Sequence, residues 1–197
     1  ITDEVAKHEG YHIHYAAKAC ANPKVLSIIA DSGLGADCVS GGEIQACIDE
    51  GFPAKTIVYA GVGKADWEIE HGLNVGIQYF NVESVAELEV IEEIAARMNK
   101  TANVSFRINP DVGAHTHANI TTGLSENKFG IAMQDMERVI LMAKEMPHIE
   151  FVGLHFHIGS QILEMDDFQA LALRINELQD RLEKHGIGPV KNINVGG

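Results

Sequence analysis

The sequence predicts an α/β fold of the (β/α)8 TIM-barrel type, incomplete at about seven strands, on three observations. Short apolar runs rich in β-branched residues recur along the chain, a helical pattern follows each of them, and no two strand patterns follow one another directly. Alternation of strand and helix at about 20 to 25 residues per unit implies parallel strands joined by right-handed crossovers. An open doubly wound sheet shares that alternation, and the strand count, close to eight, favours the barrel.

Taken in order, the first strand is His12 to Ala19, with His14, Ala16 and Lys18 on one face and Ile13, Tyr15 and Ala17 on the other. It closes on a lysine between alanines. A lysine there reaches into space that bulky neighbours would fill, and partial desolvation favours a nucleophilic amine. The plainer reading is an edge lysine that keeps a strand soluble. A helix at Pro23 to Asp31 leads to the strand Gly35 to Ser40, and a helix at Gly42 to Glu50 leads to Ile57 to Gly61. Lys64 to His71, Ile77 to Val82 and Val85 to Met98 continue as helix, strand and helix. Ser40 with Glu43, and Ser84 with Glu87, fit the S-x-x-E capping box, in which each side chain satisfies the other's free backbone donor.

The strand Val104 to Asn109 turns Val104, Phe106 and Ile108 outward and Ser105, Arg107 and Asn109 inward. An inward arginine is costly unless an anion or a hydrogen-bond network meets it, and both a structural salt bridge and a ligand contact satisfy that condition. Pro110 to Gly130 is a long polar connection containing His115 and His117; loops of that length are often functional. After a helix at Gln134 to Glu145, the strand Phe151 to Ile158 turns Val152, Leu154, Phe156 and Ile158 to the helices. Its Gly153, His155, His157 and Gly159 face inward. Histidines at i, i+2 fit a metal, an aromatic ligand or hydrogen-bonded core positions. No carboxylate spacing accompanies the four histidines, so no metal is expected. The last helix, Asp167 to His185, carries Leu171, Ile175, Leu178 and Leu182 on one stripe and stops at Gly186. The strand Asn192 to Val195 ends on Gly196 and Gly197, which suit a phosphate cradle of backbone amides.

Composition narrows the function. The 197 residues read as one domain, 1–197, with 46% hydrophobic and 22% charged residues. No apolar run reaches the roughly 20 residues of a membrane span, and the formal charge of −13 argues against nucleic acid. Cys20, Cys38 and Cys47 lack CxxC spacing and read as reduced, partly buried thiols. A cytoplasmic enzyme of small molecules is expected. The chain does not start with methionine and breaks off after a strand, so it reads as part of a longer polypeptide.

Five stretches resemble the diaminopimelate decarboxylase family: Tyr15-Ala16-Ala17-Lys18-Ala19, Gly35-Ala36-Asp37-Cys38-Val39-Ser40-Gly41-Gly42-Glu43, Arg107-Ile108-Asn109-Pro110-Asp111, Thr122 to Ile131, and Gly153-Leu154-His155-Phe156-His157-Ile158-Gly159-Ser160-Gln161. They run in order along the chain. The resemblance implies the alanine-racemase-like barrel of pyridoxal 5'-phosphate enzymes, with Lys18 holding the cofactor as a Schiff base and His157 stacked on its ring. It further implies Ser160, Gly196 and Gly197 at the phosphate, Asp37 near the lysine, and Arg107 in the pocket. The implied reaction takes meso-diaminopimelate to L-lysine and CO2, with an amino acid as the small-molecule substrate and a homodimer as the working form. Cys20 departs from the family's asparagine. The N-terminal segment, the last barrel unit and the C-terminal β-rich domain lie outside the chain, so turnover is expected of the parent protein and not of this chain alone. A decarboxylase of ornithine or arginine and a non-catalytic cofactor carrier are the alternatives.

Overall fold

The computed structural model describes residues 2–5, 7–110, 129–160, 162–190 and 192–196. Its strands are β1 (His14–Ala16), β2 (Gly35–Cys38), β3 (Ile57–Tyr59), β4 (Tyr79–Val82), β5 (Ala102–Asn109), β6 (Ile131–Ala132), β7 (Ile149–His155) and β8 (Asn192–Asn194). Its helices are α1 (Thr2–Val5), α2 (Pro23–Asp31), α3 (Gly41–Asp49), α4 (Asp66–Val75), α5 (Val85–Arg97), α6 (Met136–Lys144) and α7 (Met165–Lys184). All pairings are parallel, in the order β1-β2-β3-β4-β5-β7-β8, with β6 paired to β5 off that path. The strands follow chain order, as successive right-handed crossovers require. They form the curved wall of an incomplete barrel.

Parity along each strand sorts the side chains. Phe80, Phe106, Leu154 and Phe156 are fully or nearly fully buried under the helices, where they meet Leu88, Ile91 and Leu178. The stripe Leu171, Ile175, Leu178 and Leu182 of α7 is buried as its spacing predicts. Behind that helix Gly186 takes φ +72, and the Gly186 and Ile187 amides return to Glu183 and Leu182 carbonyls.

Three differences from the sequence reading have local causes. The first strand ends at Ala16, and Ala17–Ala19 form one 3-10 turn, so Lys18 leaves the alternation of His14 and Ala16. Asn22, accepting from the Lys24 amide at 3.0 Å, and Pro23 start α2 almost at once. β7 ends at His155, so His157 follows the strand instead of lying on it. The pairing of β5 with β7 also slips between Val104 and Ser105: Val104 meets Phe151 and Ser105 meets Gly153. Val152 is thereby the extra residue of a β-bulge. Phe151, not Val152, joins the outer face and stacks on Phe106 at 5.4 Å between ring centroids.

The two expected capping boxes are also rearranged. Ser40 and Ser84 each accept from the amide three residues on, at 3.2 Å. The glutamates reach one residue further back than a capping box requires, Glu43 to the Val39 amide and Glu87 to the Glu83 amide. Lys64 precedes α4, whose N-cap is Ala65. Cys38 and Cys47 are buried free thiols with sulfurs 3.8 Å apart, whereas Cys20 is exposed.

Candidate functional site

The C-terminal ends of the strands carry the polar residues, as the chemistry of barrel folds usually requires. β1 presents Ala16 beside Asp37 of β2, and Lys18 follows on the 3-10 turn, which Tyr15 fastens by donating its hydroxyl to the Cys20 carbonyl at 3.1 Å. Lys18 is exposed, not desolvated as its surroundings in sequence suggest. Burial pushes the Asp37 carboxyl up to about 6, against the pull of Lys18, Lys64 and Arg107.

Across the wall, Asn81 of β4 is register partner to Ser105 of β5, and Arg107 of β5 to His155 of β7. Arg107 Nη1 donates to both carboxylate oxygens of Glu83, at 2.8 and 3.0 Å. The sequence left a salt bridge and a ligand contact open for Arg107, and the salt bridge is present. Burial, reinforced by Arg107 and His157, pushes His155 down to about 3. His155 is therefore neutral at neutral pH. His157 is also shifted down, first by burial and then by Arg107 and Lys18. Burial pushes the Tyr79 phenol up, against the pull of the nearby Asn192 and Asn194 side chains of β8.

His157, Ser160 and Gly196 meet at one corner. Ser160 Oγ lies 3.5 Å from His157 Nε2. Gly196 takes φ +70, and a Cβ there would stand 2.5 Å from the Phe156 carbonyl and 2.9 Å from His157 Nδ1. Only glycine fits so close an approach. The Gly196 amide donates to Asn194 Oδ1 at 2.9 Å, a bond that an anion at this corner would compete for. Gly197, His115, His117, Asp111, Gln161 and the stretch Thr122 to Lys128 lie outside the described residues.

Asp37 Oδ1, both polar atoms of the Asn81 side chain, Ser105 Oγ and His155 Nδ1 are buried without a hydrogen-bond partner among the described residues. Buried groups of this kind usually have partners. A wall with unspent donors and acceptors, one lysine amine at its rim and a histidine beside a glycine corner fits an aromatic, anionic cofactor such as pyridoxal phosphate. A separate cavity of about 410 Å³ opens at the other ends of the strands, between Tyr11, His12, His14, Lys55 and Gln78. It is remote in register from the polar residues just described. Among the described residues no group of three or more His, Cys, Asp or Glu side chains is placed to hold a metal, and no helix is long and apolar enough to cross a membrane.

Sequence reasoning missed Glu83, Asn81 and Lys64. The first two share strand parity with Tyr79, but Glu83 sits just beyond the apolar run of β4, and only pairing with β5 shows what it meets.

Residues 3–197 match the family model described as pyridoxal-dependent decarboxylase, pyridoxal binding domain. The chain is 70% identical over all 197 residues to the diaminopimelate decarboxylase of Bacteroides thetaiotaomicron, of which it covers 51%. It is 43% identical over 185 residues to that of Haemophilus influenzae, covering 94% of this chain and 44% of the relative. The chain thus spans about half the length of the curated relatives it matches. The crystal structure of Helicobacter pylori diaminopimelate decarboxylase complexed with L-lysine superposes with a TM-score of 0.87 at 41% identity, covering 95% of this chain and 48% of that one. A lysine/ornithine decarboxylase of Vibrio vulnificus shares the fold, at a TM-score of 0.79 and 22% identity.

Proposed function

The chain belongs to the pyridoxal-binding-domain family of the pyridoxal-dependent decarboxylases, and we propose that it is the cofactor-binding barrel of a diaminopimelate decarboxylase. The full-length protein then converts meso-diaminopimelate to L-lysine and CO2. The observation that carries this reading is the 70% identity along the whole chain to a diaminopimelate decarboxylase. The likeness to the lysine/ornithine enzyme, at 22% identity, is one of fold and does not favour a different basic amino acid.

Lys18 would hold the cofactor through its amine, His157 would lie against its ring, and Ser160, Gly196 and Gly197 would take its phosphate. When bound, pyridoxal phosphate supplies an electron sink for the pair left behind as a carboxylate departs as CO2. The remaining tasks fall to side chains of this chain. Asp37, with its carboxyl near 6, is mostly ionised at neutral pH and sets a negative charge near Lys18. His155 stays neutral and adds no positive charge beside Arg107. Glu83 neutralises Arg107 and fixes its guanidinium at the rim. Homodimeric assembly and a cytoplasmic location are parts of the same proposal.

The test is a visible absorbance spectrum of the full-length protein before and after meso-diaminopimelate, with lysine and CO2 followed in the same sample. A band that borohydride removes, together with lysine formation, is the expected result. A band without lysine moves the substrate to another amino acid or the protein to a non-catalytic carrier, and the absence of any band after added cofactor overturns the role of Lys18.

A further inference from the structure

Lys64 is a lysine almost without solvent: its side chain is 1% exposed. Its ammonium donates to the Gly61 carbonyl at 2.6 Å, the Asn81 carbonyl at 2.8 Å and Glu87 Oε1 at 2.6 Å. That uses all three protons. The Tyr59 ring lies beneath it, 5.2 Å from Nζ to the centroid. The other oxygen of Glu87 accepts the Glu83 amide at 2.9 Å, and the Glu83 carboxylate in turn receives Arg107. Four charged groups therefore run from the β3–α4 turn to the inner wall in the order cation, anion, anion, cation.

Such a network is a poor way to gain stability, because well-packed apolar residues of similar volume are often as good or better once both partners are replaced. It is a good way to fix a position. The two adjacent carboxylates repel unless a cation stands at each end, and Glu83 is held twice, by its amide on Glu87 and by its carboxylate on Arg107. If Lys64 is lost, Glu87 loses its counter-ion, and the anchor on the Glu83 amide loosens with it.

We propose that Lys64 is a positioning residue of the cofactor site, acting through Glu87 and Glu83 to set where the Arg107 guanidinium stands beside His155 and His157. The proposal rests on the reading of this wall as a pyridoxal phosphate site. Lys64 itself is enclosed by protein, with its three protons spent on Gly61, Asn81 and Glu87.

The test uses the full-length protein stripped of cofactor and titrated with pyridoxal phosphate, with thermal unfolding of the same apo samples. Lys64→Met is expected to weaken cofactor binding about tenfold in the wild-type background and less than about threefold where Arg107→Lys is already present, because coupled residues are not additive. Glu87→Gln, which keeps the size of the side chain, should show the same dependence on Arg107, and it serves if Lys64→Met does not fold. Effects that multiply across the two backgrounds, or cofactor affinity unchanged while the unfolding temperature falls, would overturn the proposal and leave Lys64 a structural residue. A wild-type protein that binds no pyridoxal phosphate is a different failure: it removes the functional reading itself, and this inference with it.

Discussion

Glu83 and Arg107 meet through a single guanidinium nitrogen, Nη1, which lies 2.8 and 3.0 Å from the two carboxylate oxygens, with side chains only 4% and 15% exposed. A buried pair is weak evidence for stability, yet removing one member strands the other. Glu83→Ala in the full-length protein is expected to cost about 3 to 5 kcal/mol in urea unfolding, and the double variant with Arg107→Met should recover most of that loss. If the double variant is as unstable as the single one, the pair holds more of the wall in place than its charges explain.

Asp37 and His155 should bend the pH dependence of stability in opposite directions. The Asp37 carboxyl is raised from 3.8 to about 6, so the folded state holds its proton more tightly. The stability linked to it is complete below about pH 4 and lost as pH rises through 6, by roughly 3 kcal/mol at most. Asp37→Asn should therefore gain stability over wild type as pH rises from 4 to 7. His155 is lowered from 6.5 to about 3, so its contribution is present above pH 6.5 and lost as pH falls toward 3. His155→Gln should flatten the acid limb. Melting temperatures of both variants against wild type, from pH 4 to 8, separate the two; parallel profiles would show that neither group is shifted as its burial implies.

Period-two alternation made the inward polar faces legible: Ser105 and Arg107 on one strand and Gly153 and His155 on another do face the concave side. The alternation failed where tertiary contacts set the backbone. Nothing in Ala17-Lys18-Ala19 announces a 3-10 turn, since its cause is the early cap at Asn22 and Pro23. The bulge at Val152 exists because β5 and β7 must meet in register at both ends, as the partners Ala102 with Ile149 and Arg107 with His155 show. No local pattern encodes that demand. Lys64 was invisible for a related reason, as its ion-pair partner lies 23 residues away.

Gly196 offers a sharper test of the phosphate corner. Alanine there must adopt φ +70 and bring Cβ to 2.5 Å from a backbone oxygen that cannot swing aside. The left-handed conformation alone costs about 1 to 2 kcal/mol. Gly196→Ala is expected to weaken pyridoxal phosphate binding about tenfold or more, tenfold being 1.4 kcal/mol. Gly42→Ala is the control: it sits in α3, its Cβ would meet nothing closer than Ser40 Oγ at 3.9 Å, and a helical alanine is if anything stabilising. Equal losses from both substitutions would show that the Gly196 corner is not where the phosphate binds.

Lys18 and His157 should fail in different ways, because one would bond to the cofactor and the other would only pack on it. In the full-length protein, Lys18→Ala is expected to leave no pyridoxyl group attached to the chain after borohydride reduction, whatever the cofactor concentration. His157→Ala should keep that attachment at saturating cofactor but need more of it, since losing one ring contact costs about 0.5 to 1.5 kcal/mol. Ser160 Oγ, 3.5 Å from His157 Nε2, would remain to take part in the phosphate site. Mass spectrometry of the reduced proteins reads the first effect and titration the second. A covalent adduct retained in Lys18→Ala would move the attachment to another amine, whereas unchanged affinity in His157→Ala would make its half-buried ring a packing residue of the strand end.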